Sequence, residues 1–185
     1  MEHEKRKFGD VELYLADESS TEALAQRLAP LLLEDTPGQP DTPSGGRIHL
    51  RGDLGAGKTC FARALLRACG VTGRIKSPSY ALLESYKVSN LYLYHLDFYR
   101  FSDPREWIDA GFRDLLQKQG VVLIEWPEQA GSLLPPPDLD IALEYAETGR
   151  RVRLTACSIK GQSWLNRLML PQGKSPLPGS SADAS

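Results

Sequence analysis

Residues 48–59 read IHLRGDLGAGKT, and no other stretch limits the possible folds of this chain so tightly. Gly52, Gly57, Lys58 and Thr59 complete the pattern G-x-x-x-x-G-K-[ST], a phosphate-binding loop. Three glycines within eight residues (Gly52, Gly55, Gly57) let the backbone turn tightly and bring its N–H groups against phosphate oxygens. The cradle expected from the motif runs through Asp53, Leu54, Gly55, Ala56, Gly57, Lys58, Thr59 and Cys60. Lys58 supplies a point charge, and the Thr59 hydroxyl is placed to bind Mg²⁺ as the next helix begins. The context agrees. Ile48 and Leu50 precede the loop as a short strand, while Phe61, Leu65, Leu66 and Cys69 follow at helical spacing up to a stop at Gly70. A strand, this loop and a helix in that order predict a nucleotide-binding α/β protein: a P-loop mixed sheet with a parallel core, antiparallel hairpins and helices on both faces.

At 185 residues the chain suffices for one domain over 1–170, with a flexible insertion over 35–46 (DTPGQPDTPSGG) and a disordered Gly/Ser/Pro tail over 171–185. The formal charge of −2 contains no large basic block, which argues against a strong direct grip on nucleic acid. No apolar run approaches the roughly 18 residues of a membrane span, and the charged start MEHEKRKFGD has no secretory pattern. Cys60, Cys69 and Cys157 fit neither a disulfide framework nor a metal spacing, so a reducing, cytoplasmic setting is expected.

Along the chain, residues 11–15 alternate as a first strand. Ser19 and Glu22 form a capping-box pattern before a helix of about three turns carrying Leu24, Leu28, Leu31 and Leu32. Residues 80–88 and 91–97 read as two strands joined by Ser89 and Asn90, an antiparallel hairpin. Asp103, Pro104 and Glu106 open a helix that Gly111 divides. VVLIE at 121–125 is a continuous apolar run ending in an acid, the pattern of a buried parallel strand. After an extended connection, residues 139–145 and 150–156 alternate as a hairpin at one end of the sheet, and Trp164, Leu165 and Leu168 mark a last helix.

Ligands of open α/β sheets collect at the carboxyl ends of strands, where Asp97 and Glu125 stand. Phosphoryl transfer needs a carboxylate to hold metal and a group to orient the attacking oxygen; either acid suits either task, and both join Lys58 as catalytic candidates. The polar loop Lys76-Ser77-Pro78-Ser79 stands where a γ-phosphate-sensing switch often lies. Lys76 and Arg100 could reach phosphate, with a surface charge as the default; His95 is expected to be packed or hydrogen-bonded, Trp107 to pack in the core, and Trp126 directly follows a candidate acid.

Four motifs, GDLGAGKT at 52–59, SPSY at 77–80, YHLDFYR at 94–100 and IEWPE at 124–128, occur in an order and spacing that resemble the TsaE (formerly YjeE) family. The resemblance spans about residues 19–156. It implies an ATPase with Mg²⁺, slow in isolation, that supports tRNA threonylcarbamoyladenosine synthesis with TsaB and TsaD, resetting that complex while tRNA is contacted only indirectly. By motif, Thr59, Asp97 and Glu125 are implied metal-site residues. The resemblance also implies that Ser77, Pro78, Ser79 and Tyr80 form the switch segment, that Trp126 lies near the nucleotide and that Thr21 approaches the adenine. Ser79 stands where the family usually has Thr, and Cys60 where a second Thr is common; both leave the central groups in place. The alternative is a P-loop small-molecule kinase, weakened by the want of an arginine-rich lid, since Arg150, Arg151 and Arg153 fall in the predicted hairpin.

Overall fold

A computed structural model describes residues 8–34 and 44–170. Most of the expected insertion, and all of the expected C-terminal tail, lie outside the described residues. Seven strands form one sheet: β1 (Asp10–Leu15), β2 (Gly46–Arg51), β3 (Leu83–Val88), β4 (Leu91–Asp97), β5 (Val121–Glu125), β6 (Leu139–Tyr145) and β7 (Arg150–Ala156). Their order across the sheet is β1-β7-β6-β2-β5-β4-β3. The inner strands β6, β2, β5 and β4 are mutually parallel, and antiparallel pairs flank them on both sides. The expected mixed sheet is therefore present. One detail differs: β1 closes the edge beyond β7, so the β6–β7 hairpin is interior, with β6 directly beside the strand that feeds the phosphate loop.

The helices α1 (Glu18–Leu33), α2 (Lys58–Ala68) and α5 (Ile159–Met169) cover one face of the sheet. Short helices α3 (Glu106–Asp109) and α4 (Phe112–Leu115) cover the β4–β5 part of the other. Strand β5 explains why its run is apolar throughout. Val121 and Leu123 enter the first core, Val122 and Ile124 the second, so neither side of the pleat meets water.

Local chemistry departs from the expected boundaries in four places. Asp17, not Ser19, caps α1 by accepting the Ser20 amide at 2.8 Å; an ionised oxygen two residues earlier serves the orphan donors as well, and it lengthens the helix to 16 residues. Gly46 opens β2 rather than closing the insertion. Residues 80–82 form a turn because Leu82 takes a left-handed φ of 64°, which delays β3 to Leu83. The connection after β5 begins with 3-10 turns over Pro127–Leu133, broken at Gly131 (φ 53°), and becomes extended only from Leu134 (φ −80°, ψ 126°). Gly111, with φ 81°, divides α3 from α4 as expected. Among the described residues, no helix is long and apolar enough to cross a membrane.

Candidate functional site

The phosphate loop joins β2 to α2, and its glycines are required by their neighbours as well as by their dihedrals. Gly55 (φ 81°) leaves room for the Tyr145 hydroxyl, which would stand 2.4 Å from a Cβ. Gly57 (φ 105°) lies under the Arg150 guanidinium, with Nε 2.8 Å from the same imaginary atom. Helix α2 begins at Lys58 with no side-chain cap, so its first amides face the loop cavity and have no partner within the helix. A helix start of this kind can hold an anion.

Lys58 is nearly buried, and its Nζ donates to the carbonyls of Gly52 at 2.6 Å and Asp53 at 2.9 Å. Burial lowers its pKa, while Glu125, Glu128 and Asp97 pull it back up. The Trp126 ring covers the ammonium at 3.9 Å. Trp126 achieves this from a left-handed backbone (φ 56°), a conformation rare outside glycine and most often kept where function requires it.

Asp97 and Glu125 are directly opposite one another in the parallel register of β4 and β5. Both are almost fully buried. The Thr59 hydroxyl donates to Glu125 Oε2 at 2.9 Å, and His95 Nε2 lies 2.7 Å from Oε1. Asp97 accepts the Tyr99 amide at 2.9 Å and the Ser79 hydroxyl at 3.1 Å, and Ser79 is in turn 2.7 Å from Ser77 Oγ. Burial first, and the Glu125 charge after it, raise the pKa of Asp97 against those hydrogen bonds. The expected switch segment is thus tied directly to one of the two acids. Pro78 is buried and Tyr80 is 85% exposed, with Arg100 stacked on its ring at 4.2 Å rather than turned toward the loop. Lys76 is exposed.

A cavity of about 270 Å³ gathers Lys58, Thr59, Asp97, Glu125, Trp126 and Arg150. Next to it, a cleft of about 370 Å³ runs between α1 and α2; Cys60 lines both. Thr21 does not line this cleft. It is buried in α1, one turn beyond Asp17, whose carbonyl accepts its hydroxyl at 3.3 Å.

The oxygen donors Thr59, Asp97 and Glu125 suit a hard cation such as Mg²⁺. Among the described residues no cluster of three or more His, Cys, Asp or Glu could hold a metal alone.

His95, expected to be packed or hydrogen-bonded, is both: it is buried and lies 2.7 Å from Glu125 Oε1, on the strand face it shares with Asp97. One contributor escaped the sequence. Arg150 opens β7 in the expected hairpin; only the position of β6 beside β2 brings it to the loop, and among the described residues its buried Nε has no hydrogen-bond partner.

A family model for "Threonylcarbamoyl adenosine biosynthesis protein TsaE" matches residues 15–153. The chain is 35% identical over 150 residues to the tRNA threonylcarbamoyladenosine biosynthesis protein TsaE of Haemophilus influenzae, an alignment covering 81% of this chain and 92% of that one. It is 38% identical over 148 residues to the protein of the same name from Rickettsia felis, covering 80% and 78%. The fold matches the crystal structure of Bacillus subtilis YdiB with a TM-score of 0.69 at 26% identity, over 87% of this chain and 95% of that one.

Proposed function

Because the chain belongs to the TsaE family, whose members serve tRNA threonylcarbamoyladenosine biosynthesis, we propose that it is a Mg²⁺-dependent ATPase acting with TsaB and TsaD in the cytoplasm. The observation that carries this reading is the convergence of Thr59, Glu125 and Asp97 beside the uncapped start of α2.

In this reading the amides of residues 53–60 hold the triphosphate, and Lys58 leaves the Gly52 and Asp53 carbonyls to meet it. Arg150 adds a second positive charge from the opposite side. Thr59, Asp97 and Glu125 would hold Mg²⁺, which when bound neutralises phosphate charge. Water attacks the γ-phosphorus, the bond to the bridging oxygen breaks, and ADP and phosphate leave. The buried acids orient that water. Ser79 links Asp97 to the 77–80 segment, so loss of the γ-phosphate can be relayed to the exposed Tyr80. The base extends past Cys60 into the cleft between α1 and α2. Hydrolysis resets the TsaB–TsaD complex between cycles, and tRNA is met only through that complex.

Titration of Mg²⁺ with ATP against the parent and Lys58→Ala tests the phosphate site. The variant deletes a charge-assisted contact, so its affinity should fall by about tenfold or more. Equal affinities would overturn the assignment.

A further inference from the structure

We infer that His95 is a positioning residue for Glu125, an inference that rests on the ATPase reading above. His95 is 0% exposed and leaves β4 on the face that also carries Asp97. In the register of the parallel pair, His95 lies opposite Leu123 and Asp97 opposite Glu125, so the imidazole sits one step beneath the two acids. A carboxylate oxygen only accepts, so Nε2 donates across the 2.7 Å to Oε1. The other oxygen, Oε2, receives the Thr59 hydroxyl at 2.9 Å. Glu125 is therefore gripped from β4 on one side and from α2 on the other.

Packing alone gives a poor account of a histidine at this place. Among the described residues its buried Nδ1 has no hydrogen-bond partner, which costs about 1–3 kcal/mol relative to an apolar residue of the same shape. Among the described residues, the hydrogen bond to Glu125 is the one polar contact that offsets this burial. What the contact does is directional. With Oε1 tied to Nε2, Oε2 stays turned toward Thr59 and the phosphate loop. Without the donor, Oε1 is left buried and unpaired, and the carboxylate rotates to find another. Outer partners that orient a ligating or reacting group in this way typically account for about 10- to 100-fold in metal affinity or activity.

The test compares the full chain with H95F, which keeps a ring but removes the donor, and H95Q, whose amide nitrogen reaches about the place of Nε2. Circular dichroism and Tm establish folding. ADP affinity is measured with and without Mg²⁺, and kcat and KM for ATP are measured separately. H95F should lose about 10- to 100-fold in kcat and the Mg²⁺-dependent gain in ADP affinity, with Mg²⁺-free ADP affinity within about threefold of the parent. H95Q should recover most of both. A folded H95F with the parent's kcat and Mg²⁺ gain would overturn the inference, as would an H95Q no better than H95F. Should H95F fail to fold, H95N replaces it, because its shorter amide falls near Nδ1 and cannot reach Glu125. A parent that hydrolyses no ATP would refute the ATPase reading instead, and the Mg²⁺ gain in ADP affinity then decides the role of His95 alone.

Discussion

His49 should make this protein lose stability in mild acid, and His49→Phe should remove most of that loss. The residue lies in β2 between Ile48 and Leu50, which enter the first core, so its ring turns to the opposite face. There it stands between Ile124 of β5 and Asp140 of β6 in register, on the strand against which the 3-10 helix packs. It is 3% exposed, and among the described residues neither ring nitrogen has a hydrogen-bond partner. Asp140 gives no relief, being held by Arg51 at 2.7 Å. Burial, then the charges of Arg51 and Arg47, push the pKa down from 6.5 to about 3. The native ring is thus neutral, while the unfolded chain takes up a proton below 6.5. Stability is complete above that value and falls as pH drops toward 3. At about pH 5 the loss from this one group is about 2 kcal/mol, near the limiting slope of about 1.4 kcal/mol per pH unit. Urea unfolding of the parent and of H49F at about pH 8 and about pH 5 isolates the contribution, because the remaining groups are shared. The parent should lose about 2 kcal/mol more than the variant between the two conditions. Equal losses would refute the reasoning.

Arg150→Ala should weaken ATP and ADP binding by about tenfold or more, since a charged donor to phosphate is worth about 1.5–3 kcal/mol, and calorimetry showing unchanged affinity would remove Arg150 from the site. Tyr145→Phe deletes the hydrogen bond of 3.0 Å to the Leu54 carbonyl. Nucleotide affinity should fall by about fivefold, corresponding to about 1 kcal/mol, and an unchanged Kd would show that the loop does not depend on this tether. Gly161→Ala would set a Cβ 1.8 Å from the Asp138 carbonyl oxygen, forcing α5 away from the start of β6. Thermal unfolding should register a loss of about 1–3 kcal/mol, and an unchanged Tm would contradict the close approach.

Much of the fold was legible because local chemistry and tertiary structure agree. The β2–loop–α2 unit follows from its glycines and the helical spacing of Phe61, Leu65 and Leu66, and β5 from an apolar run that only burial on both faces explains. The acids Asp97 and Glu125 could be placed at strand ends from their positions alone, and the register then sets them side by side. What escaped depends on which strands are neighbours. Arg150 and Tyr145 reach the loop through the adjacency of β6 and β2, which no local pattern encodes. The 3-10 helix after β5 was hidden by Pro127, which breaks a strand and equally well starts a helical turn. His49 looks like one polar step in a strand. Its cost becomes visible only once both sheet faces are known to be covered there.

The most direct test of the central claim is the rate of ATP hydrolysis by the parent and by Glu125→Ala, each alone and then with TsaB, TsaD and tRNA added. The account predicts slow turnover by the parent alone, a rise with TsaB and TsaD, and loss of that activity in Glu125→Ala while ATP still binds. A parent rate untouched by the partners but raised by a small-molecule phosphate acceptor, or a Glu125→Ala protein as active as the parent, would contradict it.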